Sequence, residues 1–192
     1  MIFGYIKLLG KITVNNFDSS ILFADIKKQE AIINWIKEKI NKNFVYFEKI
    51  FTMSKNGSMS KDFHKHCDNE GPTLTLVKTT KNKIFGGFTP LNWDMSGGDK
   101  KDENNQTFIF SLNLMKKYDM IDKEKSAISC NREYGPSFGV SDFCIQSNMK
   151  KGETIANDNT NFISNSNLEL IELEGTNETF NIDDFEVFKI IY

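Results

Sequence analysis

The sequence predicts a mainly β fold of the α+β class, a β-sandwich edged by helices, on three observations. Stretches in which polar and apolar residues alternate recur along the chain, as at Thr73–Lys78 and Phe108–Leu112, and a period of two marks half-buried strands. Seventeen phenylalanines, many in those runs, suit a core of strands and aromatic packing. Strong helical periodicity is confined to one long segment, Gln29–Asn43.

Taken in order, residues 1–25 read as extended or irregular. Met1–Leu9 is apolar, but no basic region precedes it, Lys7 and Lys11 interrupt it, and Gly4 and Gly10 break it, so it reads as an ordinary strand or chain end, not a signal peptide. No later stretch approaches the ~20 apolar residues of a membrane span, and no direct membrane insertion is expected. In Gln29–Asn43, Ile32, Ile33, Ile36 and Ile40 share one stripe while Lys and Glu fill the other face. That is an amphipathic helix covering the core.

Ser54–Ser60 carries loop and capping chemistry, and a short helix is expected through Phe63–Cys67, ending near Gly71–Pro72. Thr73–Lys78, a turn over Thr79–Lys83 and Ile84–Thr89 form a β-hairpin. Gly97, Gly98 and Asp99–Glu103 read as a solvated, mixed-charge excursion. Phe108–Leu112, Ser126–Cys130 and Phe143–Ile145 are strands, Asn157–Asn167 a loop, Leu168–Leu173 extended, and Phe185–Tyr192 the closing strand. The 192 residues show no repeat or linker, so one domain is expected.

The charge balance excludes a class of partner. Net charge is −2, and Arg132 is the lone arginine among lysines interleaved with acids; nucleic acid requires a concentrated basic face. Cys67, Cys130 and Cys144 are odd in number and widely spaced, which suits a reducing, cytoplasmic compartment.

From Phe63 to Thr80 the chain runs Phe-His-Lys-His-Cys-Asp-Asn-Glu-Gly-Pro-Thr-Leu-Thr-Leu-Val-Lys-Thr-Thr, followed by Phe85-Gly86-Gly87-Phe88-Thr89 and Trp93. Together with Thr107–Leu112, Gly135–Gly139, Asp142 and Phe185–Phe188, this resembles the signature of the TLDc family over about residues 45–192, with a weaker match over residues 1–44. Val140-Ser141 departs from the further glycine that members often carry there. The resemblance implies two antiparallel sheets packed as a sandwich with peripheral helices. It also implies a connection to oxidation-resistance proteins, nuclear receptor coactivator relatives and TBC-domain proteins, several members being linked to the vacuolar proton-pumping ATPase. The family has no established reaction, so what is implied is protein binding in stress defence or proton-pump regulation.

The residues themselves offer one chemical cluster: His64, His66, Cys67, Asp68 and Glu70. In a helix His64 and His66 stand about 200° apart and cannot share a metal; no metal or cofactor is expected. His64 and Cys67, three apart, are neighbours that could form a Cys–His pair, but Phe63 and Cys67 share the expected core face, where a thiol behaves as a small hydrophobe. No catalytic residue is assigned, His64, Cys67 and Asp68 being the candidates. Gly86-Gly87 lies within a strand and reads as a close backbone approach, not a phosphate cradle, while Asp183-Asp184 and Glu172/Glu174 read as solvated turns or faces. Two rival functions follow: a direct thiol-based oxidant response through Cys67, Cys130 or Cys144, and a hydrolase using His64 with Cys67 or Asp68.

Overall fold

In the computed structural model, which describes residues 17–43, 45–140, 142–155, 160–162 and 177–192, the first helix begins earlier than its apolar stripe suggests. Helix α1 is Ile26–Ile40, because the Asp25 side chain accepts the Lys28 amide at 3.2 Å and starts the helix there. Asn41, left-handed at φ 52°, ends it before Asn43. Ile32, Ile36 and Ile40 are buried on the core side as expected, whereas Ile33 is only partly buried.

Strand β1 (Tyr46–Thr52) leads into α2 (Met53–Asn56) and α3 (Ser60–Cys67). The expected loop over Ser54–Ser60 therefore begins as a helical turn, capped by Asp184, whose carboxylate accepts the Ser54 amide and hydroxyl at 3.0 and 2.6 Å. Asp183 pairs with Lys78; of the two aspartates, Asp184 is thus a cap and not a solvated face. The hairpin β2 (Thr73–Thr79) and β3 (Ile84–Thr89) matches its alternation, and Gly86 and Gly87 are the close approach the pattern suggested. A Cβ on Gly86 would strike the Thr75 carbonyl, and one on Gly87 would stand 2.6 Å from the Phe138 ring.

The remaining strands are β4 (Asp99–Lys100), β5 (Phe108–Ser111), β6 (Lys116–Asp119), β7 (Ile128–Ser129), β8 (Ser137–Phe138), β9 (Phe143–Ile145), β10 (Lys151–Ile155) and β11 (Asn177–Ile191). Residues Asp99 and Lys100 of the mixed-charge excursion are thus not loop: they pair with β7. The closing strand starts well before Phe185. Met1–Leu9, Leu168–Leu173, Glu172, Glu174 and most of Asn157–Asn167 lie outside the described residues.

The architecture is mainly β and antiparallel, but the expected two sheets are, among the described residues, one continuous network of eleven strands. Fifteen-residue β11 joins them. Its first residues pair with β10, while from Ile182 onward it pairs with β2, with a register shift between Ile182 and Asp184, and from Glu186 with β1 on its other side. One lobe runs β1-β11-β2-β3-β5-β6, the other β4-β7-β8-β9-β10-β11. Val77, Phe85 and Ile109 of the first lobe share a core with Phe138, Phe143 and Ile145 of the second, together with Phe63 and Cys67 of α3. On its opposite face the first lobe buries Leu74, Leu76, Phe108, Phe110 and Phe188 beneath α1. The order of layers is α1, first lobe, then second lobe with α3.

Candidate functional site

The chemical cluster sits where α3 ends against the loops around Trp93 and Tyr134. Asp62 accepts the Met59 amide at 3.0 Å, closing the start of α3. One turn on, His64 is buried: Nδ1 lies 2.8 Å from the Asp68 carboxylate, and Nε2 lies 3.2 and 3.1 Å from the carbonyls of Asn131 and Tyr134. Both ring nitrogens face hydrogen-bonding oxygens. The ring clamps α3 to the 131–134 turn.

Asp68 forms an isolated bridge with Trp93, and the Asn69 amide donates to the Trp93 carbonyl at 3.0 Å. The Trp93 indole donates to Thr73 Oγ1 at 2.8 Å and meets Phe63 and Phe138 edge-on. Asn92 accepts the Gly71 amide through Oδ1 and Lys100 through its carbonyl. Lys100 also pairs with Asp94 at 2.6 Å; it and then Ser96 hold the Asp94 carboxyl at about 2. These bonds knit α3, the start of β2 and the two loops into one knot.

The Cys67 thiol takes no hydrogen-bonded part in that knot; the residue is wholly buried beside Phe63 and Trp93. Burial, then the charges of Asp68 and Glu70, push its thiol well above the ordinary range. Burial likewise raises Cys130, and raises Cys144 to about 12. His66 lies apart from His64, with Nδ1 donating to the Asp62 carbonyl at 2.7 Å, and Glu70 pairs with Lys189 at 2.9 Å. Among the described residues no three His, Cys, Asp or Glu side chains gather as metal ligands, and no helix is long and apolar enough to cross a membrane. The structure brings together His64 and Asp68 and directs Cys67 into the core.

Three buried carboxylates escaped the sequence reading. Glu186, on the α1 side of β11, accepts Ser19 Oγ, Ser20 N and Ser20 Oγ at 2.6, 3.1 and 2.7 Å and pairs with Lys49 at 2.7 Å. Burial works to raise its pKa, but Lys49 and the two serines outweigh that and the net direction is down. Asp102 accepts the amides of Asn104, Gln106 and Thr107, and Asp142 those of Asn161 and Phe162. Asp102 overturns the solvated reading of the Asp99–Glu103 excursion, being buried with its donors close behind it in sequence; Glu186 and Ser19, 167 positions apart, carry no local signal.

Comparison with known proteins agrees with the signature. A profile of the TLDc domain matches residues 16–191. The chain is 28% identical to TBC1 domain family member 24 of Xenopus laevis over 52% of its own length and 16% of that protein. To the Xenopus tropicalis counterpart it is 29% identical over 43% of its length and 14% of that protein. To the mTOR-associated protein MEAK7 of Danio rerio it is 41% identical over 24% of its length and 10% of that protein. The chain spans under a fifth of the length of these curated relatives.

Proposed function

The chain belongs to the TLDc family, whose profile it matches over residues 16–191, and from that premise we propose that it is a single, cytoplasmic, non-catalytic interaction domain whose partner is the vacuolar proton-pumping ATPase. The observation that carries the reading is the use the fold makes of its signature. His64 and Asp68 bind each other and the 131–134 turn, Trp93 and Thr73 bind each other, and Cys67 is core. Side chains most suited to chemistry thereby hold loops in place, and a rigid scaffold displaying loops is what partner recognition needs. That one relative is named for its association with another protein adds support.

The rival hydrolase needs a nucleophile beside its base, but the His64 ring is engaged by Asp68, Asn131 and Tyr134 while burial holds the Cys67 thiol protonated. The thiol-response reading needs an accessible thiolate, and burial raises all three cysteines. The test is direct binding of the fluorescently labelled chain to the purified catalytic sector of the pump, with and without ATP. Saturable binding, weakened by loop-surface substitutions that leave the unfolding midpoint unchanged, is the expected result. Its absence in both nucleotide conditions rejects the pump as partner.

A further inference from the structure

Among the described residues strand β1 is an edge, and the alternation of the ladder fixes which of its backbone groups face outward. The Ile190 amide donates to the Pro72 carbonyl, on the β2 side of β11. Backbone groups alternate in an antiparallel strand, so those of Lys189 and Ile191 turn to β1, where their partners are Glu48 and Tyr46. The amides and carbonyls of Phe47 and Lys49 therefore face away from β11, and among the described residues no strand pairs with them.

A cleft of about 510 Å³ lies on this edge. Its apolar wall is Tyr46, Phe47, Phe188 and Ile191, of which Tyr46 is 51% and Ile191 46% exposed. Asp18 and Glu48, both exposed, line it too. The cation in the lining, Lys49, is already paired with buried Glu186, and Lys189, across the ladder from Glu48, is already paired with Glu70. Among the described residues, what remains is acidic, apolar and open along two residues of backbone.

Resting on the interaction-domain reading above, we infer that β1 is the docking edge: a partner segment adds as a strand beside Tyr46–Lys49, placing an apolar residue in the cleft and a Lys or Arg against Asp18 and Glu48. Main-chain bonds supply affinity in such strand addition and the flanking side chains supply selection. The register shift between Lys49 and Phe51 breaks the regular edge beyond Lys49, so the added strand is short.

The probe is a displayed library of nine-residue segments selected on the full chain. Enrichment of segments that set an apolar residue beside Lys or Arg is expected, with amide NMR shifts concentrated at Phe47 and Lys49. Glu48→Lys should weaken those segments about tenfold or more and turn the selection toward acidic ones, because the rim charge is reversed. A single urea transition, its midpoint lowered only modestly by the two cations then facing each other at Lys189, shows that the fold survives. No enrichment, selection of acidic segments by the unaltered chain, or indifference to Glu48→Lys overturns the inference, as does a dimer closed edge to edge through β1 in sedimentation. Pump binding that persists in Glu48→Lys while segment binding is lost overturns this edge as the adaptor surface and leaves the adaptor reading standing. Segment binding that behaves as expected with no pump binding rejects the pump and keeps the edge.

Discussion

A carboxylate held out of water on the α1 side of β11 stays ionised only while its partners stay in place, and Glu186 has three hydrogen bonds and an ion pair doing so. Glu186→Gln leaves Lys49 without its counter-charge. The expected loss at neutral pH is about 3 kcal/mol, the low end for a broken buried pair, since Lys49 keeps some contact with water. The sign with pH follows from the direction of the shift. A carboxyl whose folded pKa lies below its ordinary value contributes stability that is fully present above the ordinary glutamate range and is lost as pH falls through the folded value. The gap between wild type and Glu186→Gln in urea unfolding should therefore narrow on acidification; a gap independent of pH would show that the charge does not matter. The thiols make a second prediction at this scale. With Cys144 raised to about 12 and Cys67 and Cys130 also raised by burial, iodoacetamide should label the native chain far more slowly than the unfolded chain at pH 8. One cysteine reacting in the native state at the unfolded rate would reopen the thiol-response reading.

At the scale of elements, what the sequence made legible was what carries a periodic pattern. β2, β3, β5 and β9 bury nearly every residue or alternate clearly, and α1 has its isoleucine stripe. Strands without such a pattern escaped: β6 is Lys-Lys-Tyr-Asp at a sheet edge, and β8 has only two residues, framed by Gly135 and Gly139. β10 reads Lys-Gly-Glu-Thr-Ile, with a glycine where Phe180 crosses it. Gly87 shows why the glycine pair belongs in a strand: the second lobe leans on β3 there, with the Phe138 ring where a side chain would start. Gly87→Ala should cost about 1–3 kcal/mol through overpacking, read as a lower urea midpoint with an unchanged slope. A neutral result would mean that Phe138 has room to retreat. The sequence set His64 beside Cys67, whereas the structure joins it to Asp68, the extended residue that ends α3, and to acceptors at Asn131 and Tyr134, 67 and 70 positions away, which leave no mark in local sequence.

At the scale of the whole molecule, the unexpected feature is that β11 serves both lobes, so the two sheets implied by the sequence share a strand. Each core also leans on one sheet: Leu74, Leu76 and Phe188 face α1 from the strands whose Val77, Phe85 and Val187 face the second lobe. The α1 layer cannot lose its floor without the other core losing a wall, and a single cooperative transition should follow. The two tryptophans allow a clean test, since Trp35 packs against Phe110 on the α1 side and Trp93 lies in the core between the lobes. Trp35→Phe leaves Trp93 as the sole indole, reporting the inter-lobe core, while helical circular dichroism is dominated by α1, the longest described helix. Urea curves from the two signals should superimpose. If the helical signal is lost at lower urea than the Trp93 signal, α1 detaches as a separate unit. The shared sheet would then not couple the two cores, and the layer nearest the Glu186 latch and the β1 edge would be free to open without unfolding the signature knot.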